Sequence, residues 1–330
     1  MSYENELSVA VQAVRAAATV CVAVQKALVT AETLEKKDKS PVTVADFAAQ
    51  AVVCKHLIDA YPQVRVVGEE GADDLRGEDA TTLRNAVVKH TAGVIGAGTT
   101  ESAVLDWIDR GGLDPAKETG VKRYWTLDPI DGTKGFLRGQ QYAIALALIE
   151  DGKVVLGVLG CPNLDGLNAA PGSVFTAVRG QGAKVLPLIG DGIDGQSIGV
   201  DEVATSEGAR FCESVESGHS NQDDSAQIAQ KLGISAEPYR IDSQCKYAAV
   251  ARGDASIYLR LPTSAQYREK IWDHAAGMIV VEEAGGRVTD VTGQTLDFSL
   301  GRKLQNNRGI IATNGKFHDQ VVQAVQGVIG

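Results

Sequence analysis

The stretch YAIALALIEDGKVVLGVLGC, residues 142–161, limits the possible folds more than any other part of the chain. Two runs rich in aliphatic residues flank Asp151-Gly152, a residue pair that favours the tight turn of a β-hairpin. Other runs of strand-forming residues lie at 124–127, near 174–178 and near 184–188. We therefore predict a sheet that contains this hairpin and is extended by the other strands.

Two helices are predicted before this sheet, because apolar residues recur there at helical spacing. The first covers residues near 4–33. The second begins with Thr43 as its N-cap, and its apolar stripe consists of Phe47, Ala51, Cys54 and Ile58. A short strand near 64–67 follows, and the polar, Gly-rich residues 71–124 are expected to form short helices.

The second half of the chain alternates between strand and helix patterns. Strands are predicted near 209–215, 238–242 and 255–261, and helices near 223–232, 243–252 and 273–284. This alternation predicts a second α/β layer. The Gly- and Asp-rich residues 190–199 are the best candidate for a linker. We accordingly expect an α+β domain of residues 1–195 and an α/β domain of residues 196–330.

Charge and cysteine usage narrow the class of protein. The chain has 32 basic and 42 acidic residues, a net charge of -10, which argues against binding to nucleic-acid polymers or anionic membranes. Five scattered cysteines without a CxxC pair suggest neither a disulfide framework nor a zinc site, and favour a reducing compartment. No signal peptide is recognisable and no stretch approaches a membrane span. We expect a cytoplasmic protein, or an organellar one if a transit peptide has been removed.

The sequence WTLDPIDGTKGF places two aspartates three residues apart in a predicted turn. Pro129 fixes its own φ, and Gly132 allows the chain to turn sharply. Asp128 and Asp131 can then face the same point, although carboxylates so close together repel each other. The turn is therefore either exposed to solvent or holds a cation.

The residues beside these aspartates favour the cation. The Ile130 carbonyl lies between the two carboxylates, and Thr133 is placed to begin a short helix whose N–H groups can bind an anion. Hard carboxylate and carbonyl oxygens next to an anion site are typical of Mg²⁺ and phosphate binding. An isolated D-P-x-D sequence is nevertheless more often an exposed turn.

Four further acidic residues belong to the same hypothesis. Glu69 and Glu70 follow a predicted strand, where side chains commonly project into a cleft. Asp46 lies near a helix start and Asp273 opens a helix in EKIWDHAAG. Taken singly, the two glutamates are explained by solvated charge and the two aspartates by helix capping.

In this order, SPVTVADFAAQ, VVGEE, WTLDPIDGTKGF and EKIWDHAAG resemble the signatures of the lithium-sensitive, Mg²⁺-dependent phosphomonoesterases typified by inositol monophosphatase. The resemblance implies an α/β fold with an α+β N-terminal part, a layered α-β-α-β-α sandwich of the inositol monophosphatase or sugar phosphatase type.

Within that superfamily the chain most resembles the 3′(2′),5′-bisphosphate nucleotidases. The segments that carry this resemblance are GTKGFLRGQQYAIALALIEDGKVVLGVLGCPNL, ESVESGHS, RIDSQCKYAAVARGDASIYLRLP and YREKIWDHAAG. It implies removal of the 3′-phosphate from adenosine 3′,5′-bisphosphate (PAP) and from its sulfated relative PAPS, by-products and intermediates of sulfur metabolism.

The resemblance also implies the roles of the acidic residues. Two or three Mg²⁺ ions would be bound by Glu69, Asp128, the carbonyl of Ile130, Asp131 and Asp273. Asp46 and Thr133 would orient and deprotonate a water that attacks phosphorus in line, without a phosphoenzyme. Lithium would inhibit by competing for a Mg²⁺ position.

Substrate contacts are implied for Gly132, Thr133, His219, Ser243, Lys246, Arg260 and Asp273. His219 and Ser243 would lie against the adenosine, and Lys246 and Arg260 would bind the phosphate that is not cleaved. A chain of net charge -10 needs local cations to hold a bisphosphate, and Arg can bind phosphate through two hydrogen bonds. The alternatives are a solvated helix face for Lys246 and a surface ion pair for Arg260.

Two positions depart from the family pattern. Gln222 stands in GHSNQDDS where many members have a second histidine. Cys245 stands where alanine is usual, next to Lys246, which suggests either an oxidisable thiol that restrains substrate binding or a small buried helix residue.

Other functions stay open at this point. The same core could serve an inositol polyphosphate 1-phosphatase, and some nucleotidases of this type also accept inositol 1,4-bisphosphate. A non-catalytic PAP sensor would be expected to lose Asp46 or Thr133, and both are present. A simple Mg²⁺ or Ca²⁺ buffer fits less well, because the carboxylates come from distant segments. We expect a monomer acting on small molecules.

Overall fold

The structure, a computed structural model, describes residues 3–28, 40–166, 170–215, 222–262, 264 and 266–329. Its first sheet has seven strands in chain order, of which β1 and β2 are parallel and the other neighbours antiparallel. The strands are β1 (Val66–Gly68), β2 (Arg123–Asp131), β3 (Ala143–Glu150), β4 (Lys153–Cys161), β5 (Ser173–Val178), β6 (Ala183–Pro187) and β7 (Gln196–Ile198).

The predicted hairpin is confirmed as β3 and β4, at the centre of this sheet. Asp151 and Gly152 both have positive φ values, 47° and 74°, as the tight turn between twisted strands requires. β3 is buried at every position except Glu150 because helices cover both faces of the sheet. A strand buried on both faces is apolar throughout, as this sequence is.

Helices α1 (Glu4–Leu28) and α2 (Ser40–Ala60) cover one face of this sheet. Helices α3 (Asp73–Arg76), α4 (Thr81–Ile95) and α5 (Glu101–Asp109) form a further group beside them, in which α4 and α5 pack against α2. The short helices predicted in the polar region 71–124 are thus confirmed. The predicted N-cap was wrong, because the second helix begins at Ser40 and Thr43 lies within it. Proline is favoured in the first helical turn, and Pro41 allows this earlier start.

The expectation that no stretch approaches a membrane span was also wrong. By length and composition alone, the helical segment Glu4–Ala27 could cross a membrane. Half of its most apolar window is buried inside the protein. Ala10, Val14 and Ala17 are completely buried in the core that α1 forms with α2 and the sheet.

The second sheet has the strand order β11-β12-β10-β8-β9. Its strands are β8 (Phe211–Glu213), β9 (Tyr239–Arg240), β10 (Ile257–Arg260), β11 (Arg287–Thr289) and β12 (Ile310–Thr313). Helices α8 (Cys245–Arg252) and α9 (Ala275–Glu283) fill the space between the two sheets. Helices α7 (Gln222–Leu232) and α10 (His318–Ile329) pack on the outer face. The predicted α-β-α-β-α sandwich is therefore confirmed.

The predicted linker is only partly correct. Within residues 190–199, Gln196–Ile198 forms β7, which pairs with β6 at the edge of the first sheet. The division into domains at residues 195 and 196 stays a prediction. For the site, the important result is that the ends of β1, β2 and β10 and the start of α9 come together between the sheets.

Candidate active site

A β-bulge in β2 brings the two aspartates of the DPID sequence to one face of the sheet. In a regular strand, residues three apart point to opposite faces. Here Asp128 pairs with Ala145 and Asp131 with Ala143, so β2 has one more residue than β3 between these pairs. The extra residue returns both carboxylates to the same face. Pro129 suits this position because it has no N–H to donate to a neighbouring strand.

The chain then turns at Gly132 and begins the short helix α6 (Thr133–Leu137). Gly132 has a φ of 95°, which side chains other than glycine rarely adopt. A Cβ atom here would also lie 2.7 Å from the Cβ of Ser243, which belongs to the other half of the chain. Glycine therefore allows the two halves to approach each other at the point where the site forms.

A pocket of about 390 Å³ lies at this junction. The predicted site residues that line it are Glu69, Asp128, Ile130, Asp131, Gly132, Thr133, Ser243, Lys246, Arg260 and Asp273. Among the described residues, the candidates Asp46 and Glu70 are not part of the lining. His219 lies outside the described residues.

The carboxyl groups of this pocket have raised pKa values because they are crowded together and withdrawn from water. Burial and the charge of Glu70 raise the pKa of Glu69 to about 7, although its side chain is open to the pocket. Burial and the charge of Asp131 raise the pKa of Asp273 to about 7, against the opposing effect of neighbouring cationic groups. The pKa of Asp128 lies well above its usual range, because of burial first and the charge of Glu69 second.

Asp46 lies behind the glutamates that follow β1. Its side chain is 9% exposed, and its pKa is raised well above the usual range by burial and then by the charges of Glu70 and Glu69. Asp46 is within α2, and Asp273 precedes a helix whose first residue is Ala275, without a side-chain capping bond. Neither aspartate therefore acts as the helix cap that the sequence alone would suggest.

The chemistry of this carboxylate cluster fits a divalent cation such as Mg²⁺. The Asp128 Oδ1 atom is buried and has no hydrogen-bond partner among the described residues. Such an orphan oxygen is costly unless a ligand satisfies it. Carboxylates that repel each other, supplied by three separate segments, form the oxygen-rich environment that Mg²⁺ prefers. Glu69, Asp128, Asp131 and Asp273 are the residues that could bind it.

The opposite side of the pocket is basic. Lys246 is only 5% exposed; its Nζ donates to Ser214 Oγ at 3.2 Å and lies 5.2 Å from the Tyr258 ring centroid. Burial lowers the pKa of Lys246, and the charge of Asp131 opposes this effect. A solvated helix face is therefore the wrong description of Lys246. Its ammonium group is held in the pocket, facing the acidic side.

Arg260 is held in place by a buried ion-pair network. Its Nε lies 3.5 Å from Glu269 Oε1, and Glu269 Oε2 lies 3.2 Å from His274 Nε2. The other ring nitrogen of His274 contacts the Tyr247 hydroxyl at 2.8 Å. Arg260 therefore pairs with a buried glutamate and does not form the surface ion pair that was the alternative, and its guanidinium also lines the pocket.

Glu269, Asp273 and His274 place ligand atoms within 4.8 Å of one another, which is compatible with a metal ion. The contacts of His274 and Glu269 favour a different role. Both ring nitrogens of His274 already have partners, and Glu269 is shared between His274 and Arg260. We therefore assign these two residues to the support of Arg260, and Asp273 to the carboxylate cluster.

Ser243 and Cys245 flank a turn that contacts the acidic side. Ser243 has a φ of 67°, unusual for a residue other than glycine, and the next N–H, that of Gln244, donates to Asp131 Oδ2. Cys245 is completely buried, and its Sγ donates to the Tyr142 carbonyl at 3.4 Å. Of the two interpretations of Cys245, the structure supports the small buried residue.

Several pocket residues were not predicted. Tyr258 could have been found, because it lies two residues before Arg260 on β10 and alternation places both on one face. Ser214, Asp242 and Gln244 also line the pocket. They follow strand ends or form turns without a recognisable sequence pattern, so only the fold shows that they converge.

Comparison with known proteins is consistent with this geometry. The model of the family described as "Inositol monophosphatase family" matches residues 2–329. A 3′(2′),5′-bisphosphate nucleotidase of Oryza sativa is 47% identical over 347 residues, which cover 99% of this chain and 95% of that protein. A 3′(2′),5′-bisphosphate nucleotidase of Schizosaccharomyces pombe is 43% identical, with 99% and 97% of the two chains covered.

Solved structures show the same fold at lower sequence identity. An inositol monophosphatase from Anabaena superimposes with a TM-score of 0.64 at 21% identity, covering 99% of this chain and 98% of that one. CysQ from Bacteroides thetaiotaomicron, a bacterial member of the inositol monophosphatase family, gives 0.65 at 19% identity, with 95% and 98% covered.

Proposed function

Because the chain belongs to the inositol monophosphatase family, we propose that it is a 3′(2′),5′-bisphosphate nucleotidase that hydrolyses PAP to AMP and phosphate. The same reaction is proposed for the 3′-phosphate of PAPS. Its role in the cell would be to remove PAP and PAPS, which are by-products and intermediates of sulfate assimilation and sulfation. The full-length relatives that carry this name support the proposal.

One observation supports a bisphosphate in particular, namely that a single pocket has both an acidic and a basic side. The acidic cluster needs metal ions, which would bind the phosphate that is cleaved. Lys246 and Arg260 are buried or half-buried cations on the opposite side, and they are suited to a second phosphate. A substrate with one phosphate leaves this second group of cations unused.

The proposed cofactor is Mg²⁺, with two or three ions bound by Glu69, Asp128, Asp131, Asp273 and the Ile130 carbonyl. When bound, it would lower the pKa of the attacking water and balance the charge of the phosphate. Li⁺ is expected to inhibit by competing for one of these positions.

Residues of the chain orient the attacking water, take up its proton and hold the substrate. Asp46 and Thr133 orient and deprotonate the water as its oxygen attacks phosphorus, and the Asp46 carboxylate takes up the proton. The bond between phosphorus and the ribose 3′ oxygen breaks, and that oxygen takes a proton from solvent. Lys246 and Arg260 fix the 5′-phosphate, which keeps the 3′-phosphate in line. No covalent phosphoenzyme forms.

The test is phosphate release from PAP, PAPS, inositol 1,4-bisphosphate and inositol 1-phosphate, each with Mg²⁺, with EDTA and with added Li⁺. The proposal expects Mg²⁺-dependent, Li⁺-sensitive turnover with PAP and PAPS preferred. Preference for an inositol phosphate would instead identify an inositol polyphosphate phosphatase. PAP binding without turnover of any compound would identify the non-catalytic sensor.

A further inference from the structure

Arg302 connects the two chain segments that carry Glu69 and Asp273, although it is distant from both in sequence. Its Nη2 donates to the Gly68 carbonyl at 2.5 Å, and Gly68 directly precedes Glu69. Its Nη1 donates to the carbonyls of Leu113 at 2.9 Å and Gly111 at 3.3 Å. The guanidinium therefore fixes the backbone at the end of β1.

The same residue also holds the segment that leads to Asp273. The Arg302 carbonyl accepts a hydrogen bond from the Ile271 N–H at 3.2 Å, and the adjacent residues Lys270 and Lys303 form a β-bridge. The Arg302 guanidinium lies 4.7 Å from the centroid of the Trp272 ring. Trp272 is 4% exposed and directly precedes Asp273, so this stacking fixes the position of that carboxylate.

The backbone around Gly68 is closely packed, which makes it sensitive to this contact. A Cβ atom on Gly68 would lie 2.6 Å from Gln50 Oε1, and one on Gly111 would lie 3.1 Å from the Gly68 Cα. Gln50 in turn donates to the Glu70 and Ile108 carbonyls. A shift of Gly68 toward Gln50 or Gly111 is therefore blocked, and the residue that follows Gly68 is Glu69.

We propose that Arg302 is a positioning residue of the metal centre, which holds Glu69 and Asp273 in register through the Gly68 carbonyl and the Trp272 ring. The inference rests on the proposed metal centre. Its basis is geometric: one carboxylate follows the first sheet and the other precedes α9, so their separation depends on contacts between these segments. Arg302 makes such contacts with both.

The alternative is a purely structural arginine that stabilises the fold without affecting metal binding. Arg302→Met removes the hydrogen bonds and the cation but retains much of the aliphatic stem. Arg302→Lys retains the charge near Trp272 but cannot reproduce the forked contact with several carbonyls. Arg287→Met is the matched control, since Arg287 is partly exposed and pairs with Asp319 away from the pocket.

The experiment is titration of the metal-free full chain with Mn²⁺ alone, followed by electron paramagnetic resonance, together with thermal melting of the metal-free proteins. Residues that orient metal ligands typically contribute about 10- to 100-fold to metal affinity. We expect the Mn²⁺ dissociation constant to rise by about that factor in Arg302→Met, by an intermediate factor in Arg302→Lys, and by less than about twofold in Arg287→Met.

A folded Arg302→Met with a Mn²⁺ affinity within about twofold of wild type would overturn the inference, whatever its melting temperature. If Arg302→Met does not fold, the same result for Arg302→Lys would overturn it. Equal weakening in Arg287→Met would also do so, because the effect would then not be specific to these contacts.

The titration contains no substrate, so it separates this inference from the proposed reaction. Failure of PAP hydrolysis together with weakened Mn²⁺ binding in Arg302→Met would contradict the substrate and support the positioning role. In an active enzyme, the Mg²⁺ concentration for half-maximal rate should rise in this variant. The KM for PAP at saturating Mg²⁺ should stay within about twofold of wild type.

Discussion

Replacing Lys246 by methionine should distinguish the role of the basic side of the proposed pocket from that of its carboxylate cluster. Lys246 Nζ is buried next to Ser214 and Tyr258 and faces the acidic side without being part of the carboxylate cluster. Methionine has a similar length and no charge. It should therefore remove the contact with the 5′-phosphate while leaving the carboxylates in place.

The expected magnitude follows from the burial of Lys246. A hydrogen bond to a charged group contributes about 1.5–3 kcal/mol. With Lys246 only 5% exposed, little of this interaction is screened by water. We therefore expect kcat/KM for PAP to fall by about 10- to 150-fold, since about 1.4 kcal/mol corresponds to a factor of ten.

The assay compares PAP with adenosine 3′-phosphate, which has the cleaved phosphate but lacks the 5′-phosphate. At saturating Mg²⁺, Lys246→Met should lower kcat/KM for adenosine 3′-phosphate by less than about threefold, because the contact with the second phosphate is already missing. Lys316→Met is the control, since Lys316 is partly exposed and pairs with Glu202. Equal losses with both substrates would contradict a contact between Lys246 and the second phosphate, and would show that Lys246 acts through the metal centre or the fold.

Three further predictions concern the effects of pH and of oxidation on the protein. Glu69 and Asp273 have folded pKa values of about 7, above their unfolded values. Their contribution to the free energy of unfolding is therefore complete at low pH, where both are protonated, and is lost as the pH rises through 7. The melting temperature of the metal-free chain should therefore fall between about pH 5 and pH 8, and Mg²⁺ should raise it more at the higher pH; a pH-independent effect of Mg²⁺ would contradict this. His318 is 1% exposed with a pKa lowered to about 4 by burial, so its stabilising contribution is complete above about pH 6.5 and lost toward pH 4. The difference in unfolding free energy between wild type and His318→Gln should shrink by roughly 3 kcal/mol on acidification from about pH 7 to pH 4, and a constant difference in denaturant titrations would show that His318 does not titrate in this way. Cys245 is completely buried, so hydrogen peroxide should leave the PAP activity of the folded wild type as high as that of Cys245→Ala. Loss of activity in the wild type alone would instead support an oxidisable thiol at Cys245.

Local patterns predicted the parts of the site that lie close together in sequence. The DPID sequence predicted convergent carboxylates because proline restricts the backbone, and the following glycine allows a sharp turn, within a few residues of Asp128 and Asp131. The β-bulge that produces the convergence was not predicted, since it depends on the register between β2 and β3. The Asp151-Gly152 turn was predicted correctly for the same local reason.

Contacts between distant segments could not be predicted in this way. Arg302 and Gly68 are 234 positions apart in the sequence, and no periodicity or motif connects them. The Thr43 cap was wrong because several residues near a helix start can serve as its beginning, and packing selects among them. Long apolar helices present a similar problem: α1 has the composition of a membrane span, and its burial is visible only in the fold.

The most direct test of the account is phosphate release from PAP by the metal-stripped full chain, before and after addition of Mg²⁺, with Asp131→Asn measured alongside. Asp131 ends the bulge and belongs to the acidic side of the pocket, and the charge of Lys246 on the basic side opposes the rise of its pKa. We expect no release without metal, restored turnover with Mg²⁺ in the wild type, and turnover abolished in Asp131→Asn. Metal-independent release, or a fully active Asp131→Asn, would contradict it.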